Sequence, residues 1–143
     1  MSMRVALGTP VSLGARERLL GMASVVRARR LVRHHTPEEI GVRLDEVLGR
    51  RSRAATAEEA RRADLVVCAV RLDYLGNHDP TERAVATALL LAMTGCRVRW
   101  CWGVRTPPVE TTAWVEAGGC AIGAAFNVAA AFTPLVTTSE APR

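Results

Sequence analysis

The four cysteines of this chain are the residues best suited to nucleophilic chemistry. A thiol becomes reactive when a neighbouring imidazole or a helix N-terminus lowers its pKa and a carboxylate orients that imidazole. Cys68 is followed ten residues later by His78, with Asp79 directly after it, so these three form one candidate catalytic set. However, Asp79 also has the position of a helix cap, and adjacent side chains rarely point at one site. The remaining thiols are Cys96, Cys101 and Cys120.

Neither a metal nor a cofactor is expected from these residues. None of the cysteines belongs to a CxxC pair or has His-rich neighbours, so the spacing typical of zinc ligands is missing. Free buried thiols are the expectation, because free Cys behaves as a small apolar residue. The adjacent His34 and His35 precede a helix start signal and are expected in an exposed loop.

Charge is distributed unevenly along the 143 residues. All 19 basic residues are Arg, which reflects either the codon bias of a high-GC genome or selection for forked guanidinium contacts. Residues 1–62 carry 13 Arg against 7 acids, whereas residues 63–143 carry 6 against 7. The first half is therefore either a solvated helical face or a surface for an acidic partner. It has no interleaved aromatic residues, so nucleic acid is not the expected partner.

Length and hydropathy predict a single domain, 1–143, in the cytoplasm. No apolar run reaches the roughly 18 residues of a membrane helix, and the first residues lack the apolar stretch of a signal peptide. No membrane association is expected. Within the domain we distinguish a basic helical arm (1–54), a core (55–127) and a tail of small and polar residues (128–143).

Signals for helix starts recur three times in the first two-thirds of the chain. Each is a short polar residue followed three places later by Glu, and two of them carry Pro at the first helical position. They predict helices over 36–48, 56–75 and 79–94. An apolar stripe predicts one further helix over 14–33.

In the last third of the chain the pattern changes from helical to alternating. Residues 97–104 alternate with period two, a Thr-Pro-Pro run breaks the pattern, and strands are predicted at 111–117 and 120–123 around a Gly-Gly turn. Helices followed by a small antiparallel sheet indicate the α+β class. Three tryptophans at alternating strand positions either pack in the core or form the aromatic wall of a peptide groove: Trp100, Trp102 and Trp114.

Four stretches of sequence carry a resemblance to a known family. They are ATAEEA (55–60), ERAVATALLLAMTG (82–95), RWCWGVRTPP (99–108) and AWVEAGGCAIG (113–123). Together they resemble the transglutaminase-like cysteine peptidases that remove leader peptides in lasso-peptide biosynthesis. The resemblance covers roughly half of the chain and implies a transglutaminase-like, papain-like cysteine peptidase core.

That family uses a Cys-His-Asp triad. Its Cys precedes the core helix, its His opens the strand before Ala-Trp-Val-Glu, and its Asp lies farther along the chain. Matched to this sequence, the nucleophile position is Pro80, the His position is Thr112 and the Asp position is Ala124 or Ala125. The resemblance therefore implies a peptidase fold that has lost its triad.

The resemblance also implies a role in ribosomal-peptide biosynthesis, as a scaffold or an activating subunit. The implied partners are a precursor (leader) peptide and either a leader-recognition protein or another maturation enzyme of the pathway. Two alternatives stay open: an active enzyme with a rebuilt Cys site, acting in leader cleavage, epimerisation or acyl transfer, and a basic adaptor for nucleic acid. The residues expected to line the peptide pocket are Pro80, Arg83, Trp100, Trp102, Thr112, Trp114 and Glu116.

Overall fold

The protein is an α+β structure in which helices precede an antiparallel sheet, which confirms the predicted class. The computed structural model describes residues 12–50, 53–74, 79–123 and 128–138. The helices are α1 (Ala15–His34), α2 (Pro37–Leu48), α3 (Ala57–Tyr74), α4 (Pro80–Met93) and the short α5 (Val128–Ala131). The strands are β1 (Arg53–Ala54), β2 (Cys96–Arg97), β3 (Arg99–Arg105), β4 (Glu110–Ala117), β5 (Cys120–Ile122) and β6 (Thr133–Thr137).

Two of the three helix start signals form reciprocal capping boxes. The Glu39 amide donates to Thr36 Oγ1 at 3.3 Å, and the Thr36 amide donates to Glu39 Oε1 at 2.9 Å. Thr56 and Glu59 make the same pair of bonds at 3.1 and 3.0 Å. Each box satisfies two backbone amides that the first helical turn leaves unpaired.

The third start signal works differently from its prediction. Asp79 does cap α4, because its carboxylate accepts a hydrogen bond from the Thr81 amide at 3.0 Å. Glu82, expected to complete a capping box, is instead buried and faces Arg71 of α3, with Oε1 3.9 Å from Nε. The helix starts where the sequence predicts, but its first-turn acid is directed toward the interior.

Helix α4 lies at the centre of the molecule. Every residue from Ala84 to Ala92 is buried. One side packs against α1, α2 and α3, and the other against β2, β3 and β4. A helix that is apolar all round is stable only when it is enclosed in this way. The small alanine side chains of α4 allow the surrounding elements to pack close to it.

None of the described helices is long and apolar enough to cross a membrane.

The main sheet has the strand order β5-β4-β3-β6, and all of its pairs are antiparallel. The predicted hairpins β3–β4 and β4–β5 are present, with the second turning at Gly118 and Gly119. Strand β6 was not expected, since it lies in the stretch interpreted as a small and polar tail. It pairs with β3 from Cys101↔Thr137 to Val104↔Thr133. The two-residue parallel pair β1–β2 was not expected either.

The register of the sheet separates the three tryptophans onto two faces. Trp100 pairs with Val115 and Trp102 with Ala113, and all four belong to the main core with the helices. Trp114 pairs with Cys101 and therefore lies on the opposite face, where α5 and Phe132 cover it. Residues paired across antiparallel strands share a face, so Trp114 cannot form one wall with the other two.

Gly103 allows strand β6 to approach this outer face closely. A Cβ atom at position 103 would lie 2.7 Å from the Thr133 carbonyl oxygen and 3.0 Å from the Trp114 ring. The first contact is with backbone, which cannot turn aside as a flexible side chain can. Glycine is therefore needed where β3, β6 and Trp114 meet.

We expect Gly103→Ala to destabilise the protein by about 1–3 kcal/mol, the usual cost of forcing an extra methyl group into a packed site. Urea unfolding would measure the change. The control is Gly14→Ala, where the φ angle is −68° and the nearest atom to an added Cβ is 4.0 Å away. An equal loss in both variants would contradict the role given to Gly103.

Glu59 connects the start of α3 to β1. Its two carboxylate oxygens each accept a hydrogen bond from Arg53 at 2.8 Å, and Arg53 Nη2 also lies 2.8 Å from Cys96 Sγ of β2. The Arg53 bonds, followed by the Thr56 amide, lower the pKa of Glu59 from its usual 4.5 to about 2. A lowered pKa means that the folded state favours the charged carboxylate.

The contribution of Glu59 to stability should therefore be complete above pH 4.5 and disappear as the pH falls toward 2. Glu59→Gln keeps the capping bond but loses the charge. The gap in unfolding free energy between wild type and Glu59→Gln should narrow over that window in acid titrations. The control removes the partner: in an Arg53→Ala background, the effect of Glu59→Gln on the unfolding free energy should depend far less on pH, because the Arg53 bonds are the largest cause of the lowered pKa. If the difference in unfolding free energy between wild type and Glu59→Gln does not change with pH, the charged hydrogen bonds to Arg53 are not its source.

Candidate functional site

A cleft is lined by the N-terminal half of α4, by β4 and by the segment at α5. Its volume is about 480 Å³. Helix α3 contributes Asp64, the end of β5 contributes Ile122 and Gly123, and the segment at α5 contributes Val128 and Phe132. The other lining residues are Pro80, Arg83, Ala84, Thr87, Arg105, Glu110, Thr111, Thr112, Ala113, Trp114 and Val115.

A bidentate ion pair lines this cleft. Arg83 donates from Nε to Asp64 Oδ1 at 2.8 Å and from Nη2 to Oδ2 at 2.7 Å. The Asp64 side chain is 11% exposed and that of Arg83 is 35% exposed. These hydrogen bonds raise the pKa of Arg83, which stays charged. Within the described chain Nη1 of Arg83 has no bonded partner, so it is the donor that the ion pair leaves for a ligand.

Gly123 makes room for the Asp64 carboxylate at the end of β5. Its φ angle is +79°, and a Cβ atom there would lie 2.7 Å from Asp64 Oδ1. Any side chain would both strain this left-handed backbone and displace the carboxylate. The pair is thus held by α3, α4 and the end of β5 together.

Two aromatic rings also line the cleft. The Trp114 and Phe132 ring centroids are 6.4 Å apart, and their planes are inclined by 52°. The guanidinium carbon of Arg105 lies 5.0 Å from the centre of the Phe132 ring. Trp114 Nε1 donates to Glu116 Oε2 at 2.8 Å, which fixes the orientation of the indole. Thr111 and Thr112 of β4 also line the cleft.

Four of the seven residues expected in a peptide pocket meet in this cleft: Pro80, Arg83, Thr112 and Trp114. Trp100 is fully buried in the main core, and Trp102 packs against that core. Glu116 lies farther along β4, where it contacts Trp114 and comes within 3.6 Å of Arg99. Ala124 and Ala125, matched to the Asp position, are outside the described residues.

Of the candidate catalytic set Cys68, His78 and Asp79, the structure describes Cys68 and Asp79. Cys68 is half-buried on α3 and does not line the cleft. Burial and the nearby Asp64 raise the pKa of its thiol, although Arg83 and Arg71 act in the opposite direction. Asp79 is engaged in capping α4, and His78 lies outside the described residues. A raised pKa leaves less thiolate at neutral pH, the opposite of what nucleophilic catalysis needs.

Sequence reasoning missed three side chains that shape the cleft: Asp64, Arg105 and Phe132. An acid within the apolar run of α3 was a signal that Asp64 would need a cationic partner. Phe132 gave no signal, since it lies in the short segment before the unexpected strand β6. Across the described ranges, no group of three or more His, Cys, Asp or Glu side chains is arranged to hold a metal ion.

Comparison with known proteins gives one positive result. A family model described as the transglutaminase-like superfamily matches residues 19–137. The match runs from the first turns of α1 to the last residue of β6, so it includes every residue that lines the cleft. No curated protein and no solved structure matched the chain.

The cysteine environments predict an order of alkylation. Cys120 is exposed, Cys68 is half-buried with a raised pKa, and Cys96 and Cys101 are buried. Iodoacetamide at pH 7 should modify Cys120 first, and peptide mass mapping would show the order. The alkylation rate of Cys68 should increase as the pH rises, and all four cysteines should react in denaturant. Faster labelling of Cys68 than of Cys120 at pH 7 would reveal an activated thiol and contradict this assignment.

Proposed function

Because the chain belongs to the transglutaminase-like superfamily, we propose that it is a catalytically degenerate relative of the lasso-peptide leader peptidases. In this proposal it binds a precursor peptide in its cleft and acts in ribosomal-peptide maturation as a scaffold or activating subunit. Its protein partner would be a leader-recognition protein or another maturation enzyme. The observation that carries the proposal is the meeting of Pro80 and Thr112 in one cleft.

The chemistry of these two residues supports binding rather than cleavage. The resemblance assigns Pro80 to the nucleophile and Thr112 to the general base. Proline has no nucleophilic side chain, and a threonine hydroxyl does not exchange protons near neutral pH as an imidazole does. No cysteine or histidine is found among the described residues that line the cleft.

The remaining groups suit an extended peptide. Trp114 and Phe132, which are 3% and 7% exposed, give the cleft an apolar lining, and the charged Arg83 offers a hydrogen-bond donor. A cleft of about 480 Å³ falls in the usual range of ligand sites, which combine an apolar lining with a few placed polar groups. Loss of the triad would leave this binding surface intact.

The competing proposal is an active maturation enzyme that uses a rebuilt Cys68 site for leader cleavage, epimerisation or acyl transfer. Cys68 lies close enough to Asp64, Arg83 and Arg71 for their charges to affect its pKa. The net direction of that effect is upward, so the scaffold proposal is the better supported. The two differ in whether a bound peptide is changed.

A peptide-binding assay with a product analysis tests the proposal. We would select binders from a displayed library of extended peptides, measure their affinity by fluorescence anisotropy, and examine them by mass spectrometry after prolonged incubation. We expect binding without any change in mass. Thr111→Arg places a long side chain in the cleft and should weaken binding at least about tenfold, or ~1.4 kcal/mol.

Thr106→Arg is the matched control, because it makes the same substitution at an exposed turn residue outside the cleft lining. It should leave the affinity unchanged. If Thr111→Arg leaves the affinity unchanged, the peptide does not bind in the cleft, and the proposal is wrong on this point. Peptide cleavage or modification by wild type that is lost in Cys68→Ala would establish the enzyme instead.

A further inference from the structure

A second concave surface, separate from the cleft, lies between α1 and α3. We call it the basic groove; its residues are Met22, Val25, Val26, Arg29, Arg30, Arg33, His34 and Val70, and its volume is about 400 Å³. It shares no lining residue with the cleft. We propose that the basic groove is a docking site for an acidic amphipathic helix of a partner protein. This proposal does not depend on what the cleft binds.

The floor of the groove is apolar. Val25 and Val70 are almost fully buried, Met22 is half-buried, and Val26 is 52% exposed on the groove side of α1. Leu19, which is 67% exposed, precedes Val26 by seven residues and so lies on nearly the same line of the helix surface. A helix surface with large exposed apolar side chains in a line is suited to the apolar face of another helix.

The rim of the groove is cationic, and its described lining residues include no acid. Arg62 makes an ion pair with Glu17, and Arg105 is hydrogen-bonded to Glu110. By contrast, no acidic side chain of the described residues pairs with Arg29, Arg30 or Arg33. Three positively charged guanidinium groups beside an apolar floor create a local positive potential, which favours an acidic partner.

The apolar floor and the cationic rim together indicate which class of partner the groove would bind. Among the described residues that line the groove there is no Phe, Tyr or Trp on which nucleic-acid bases could stack. A free inorganic anion would gain nothing from the apolar floor. A second copy of this chain is disfavoured by its net charge of +5. An amphipathic helix with Leu or Val on one face and Asp or Glu beside it uses both parts of the groove.

The test uses a designed probe and charge-reversed variants. The probe is a fluorescein-labelled peptide of about 14 residues with Leu at i, i+3, i+4 and i+7 and Glu elsewhere, the spacing of a groove-binding helix. We expect wild type to bind it with a Kd below about 100 µM, weakening as salt is raised. Arg30→Glu with Arg33→Glu should weaken binding at least about tenfold, since reversed charges repel the acidic probe.

Two matched controls separate this groove from general electrostatic attraction. Arg27→Glu with Arg61→Glu makes the same change of charge at exposed residues outside the groove and should alter the affinity by less than about twofold. Val26→Ser should weaken binding about threefold, whereas Val42→Ser, at a residue that is 60% exposed on α2, should not. Thermal melts would establish that all variants fold.

Three outcomes would overturn the proposal. The first is no binding of the probe by wild type below about 1 mM. The second is equal weakening in both charge-reversed pairs, or no effect of Val26→Ser. The third is tighter, Arg30-dependent binding of oligothymidylate or of phosphatidylglycerol vesicles, which would make the groove a nucleic-acid or membrane surface. None of these outcomes bears on peptide binding in the cleft, which Thr111→Arg tests separately.

Discussion

The enclosure of α4 on every side determines where this protein can place polar groups. From Ala84 to Ala92 the helix has no solvent-facing side, so its one hydroxyl, on Thr87, donates back to the Arg83 carbonyl at 2.9 Å. Charged side chains are confined to the first turn, and there they must find partners on α3. Arg83 forms its bidentate pair with Asp64 in this region because no other part of α4 can carry a charge.

The cleft follows from the same constraint. It opens where the enclosure of α4 ends, at its N-terminus, and it therefore collects the polar groups that the core excludes. A helix N-terminus beside a strand is also a favourable place for a nucleophile and its base. Here Pro80 and Thr112 line the cleft at that place, together with Arg83 and the rings of Trp114 and Phe132.

The parts of the fold that could be predicted are those with local causes. The boxes at Thr36 and Thr56 define helix starts because the interacting groups are three residues apart. The face of Trp114 could not be predicted, since it depends on which residue of β3 lies opposite. Phe132 could not be assigned to the cleft because its position depends on β6, and β6 is ordered by pairing with β3 rather than by its own sequence. The sequence therefore indicated lining residues on α4 and β4 but not those that distant segments bring to the cleft.

Strand β6 and the residues just before it complete the cleft, and they are synthesised after the other described elements. The segment from Val128 to Thr138 is the last part of the described chain to be synthesised, and it contributes both Phe132 and the strand that borders β3. Thr138 ends it with two bonds to the Trp100 backbone, at 2.8 and 3.0 Å. A nascent chain that has not reached this segment lacks the Phe132 ring of its cleft. The aromatic part of the cleft therefore forms only after the other described elements of the chain have been synthesised.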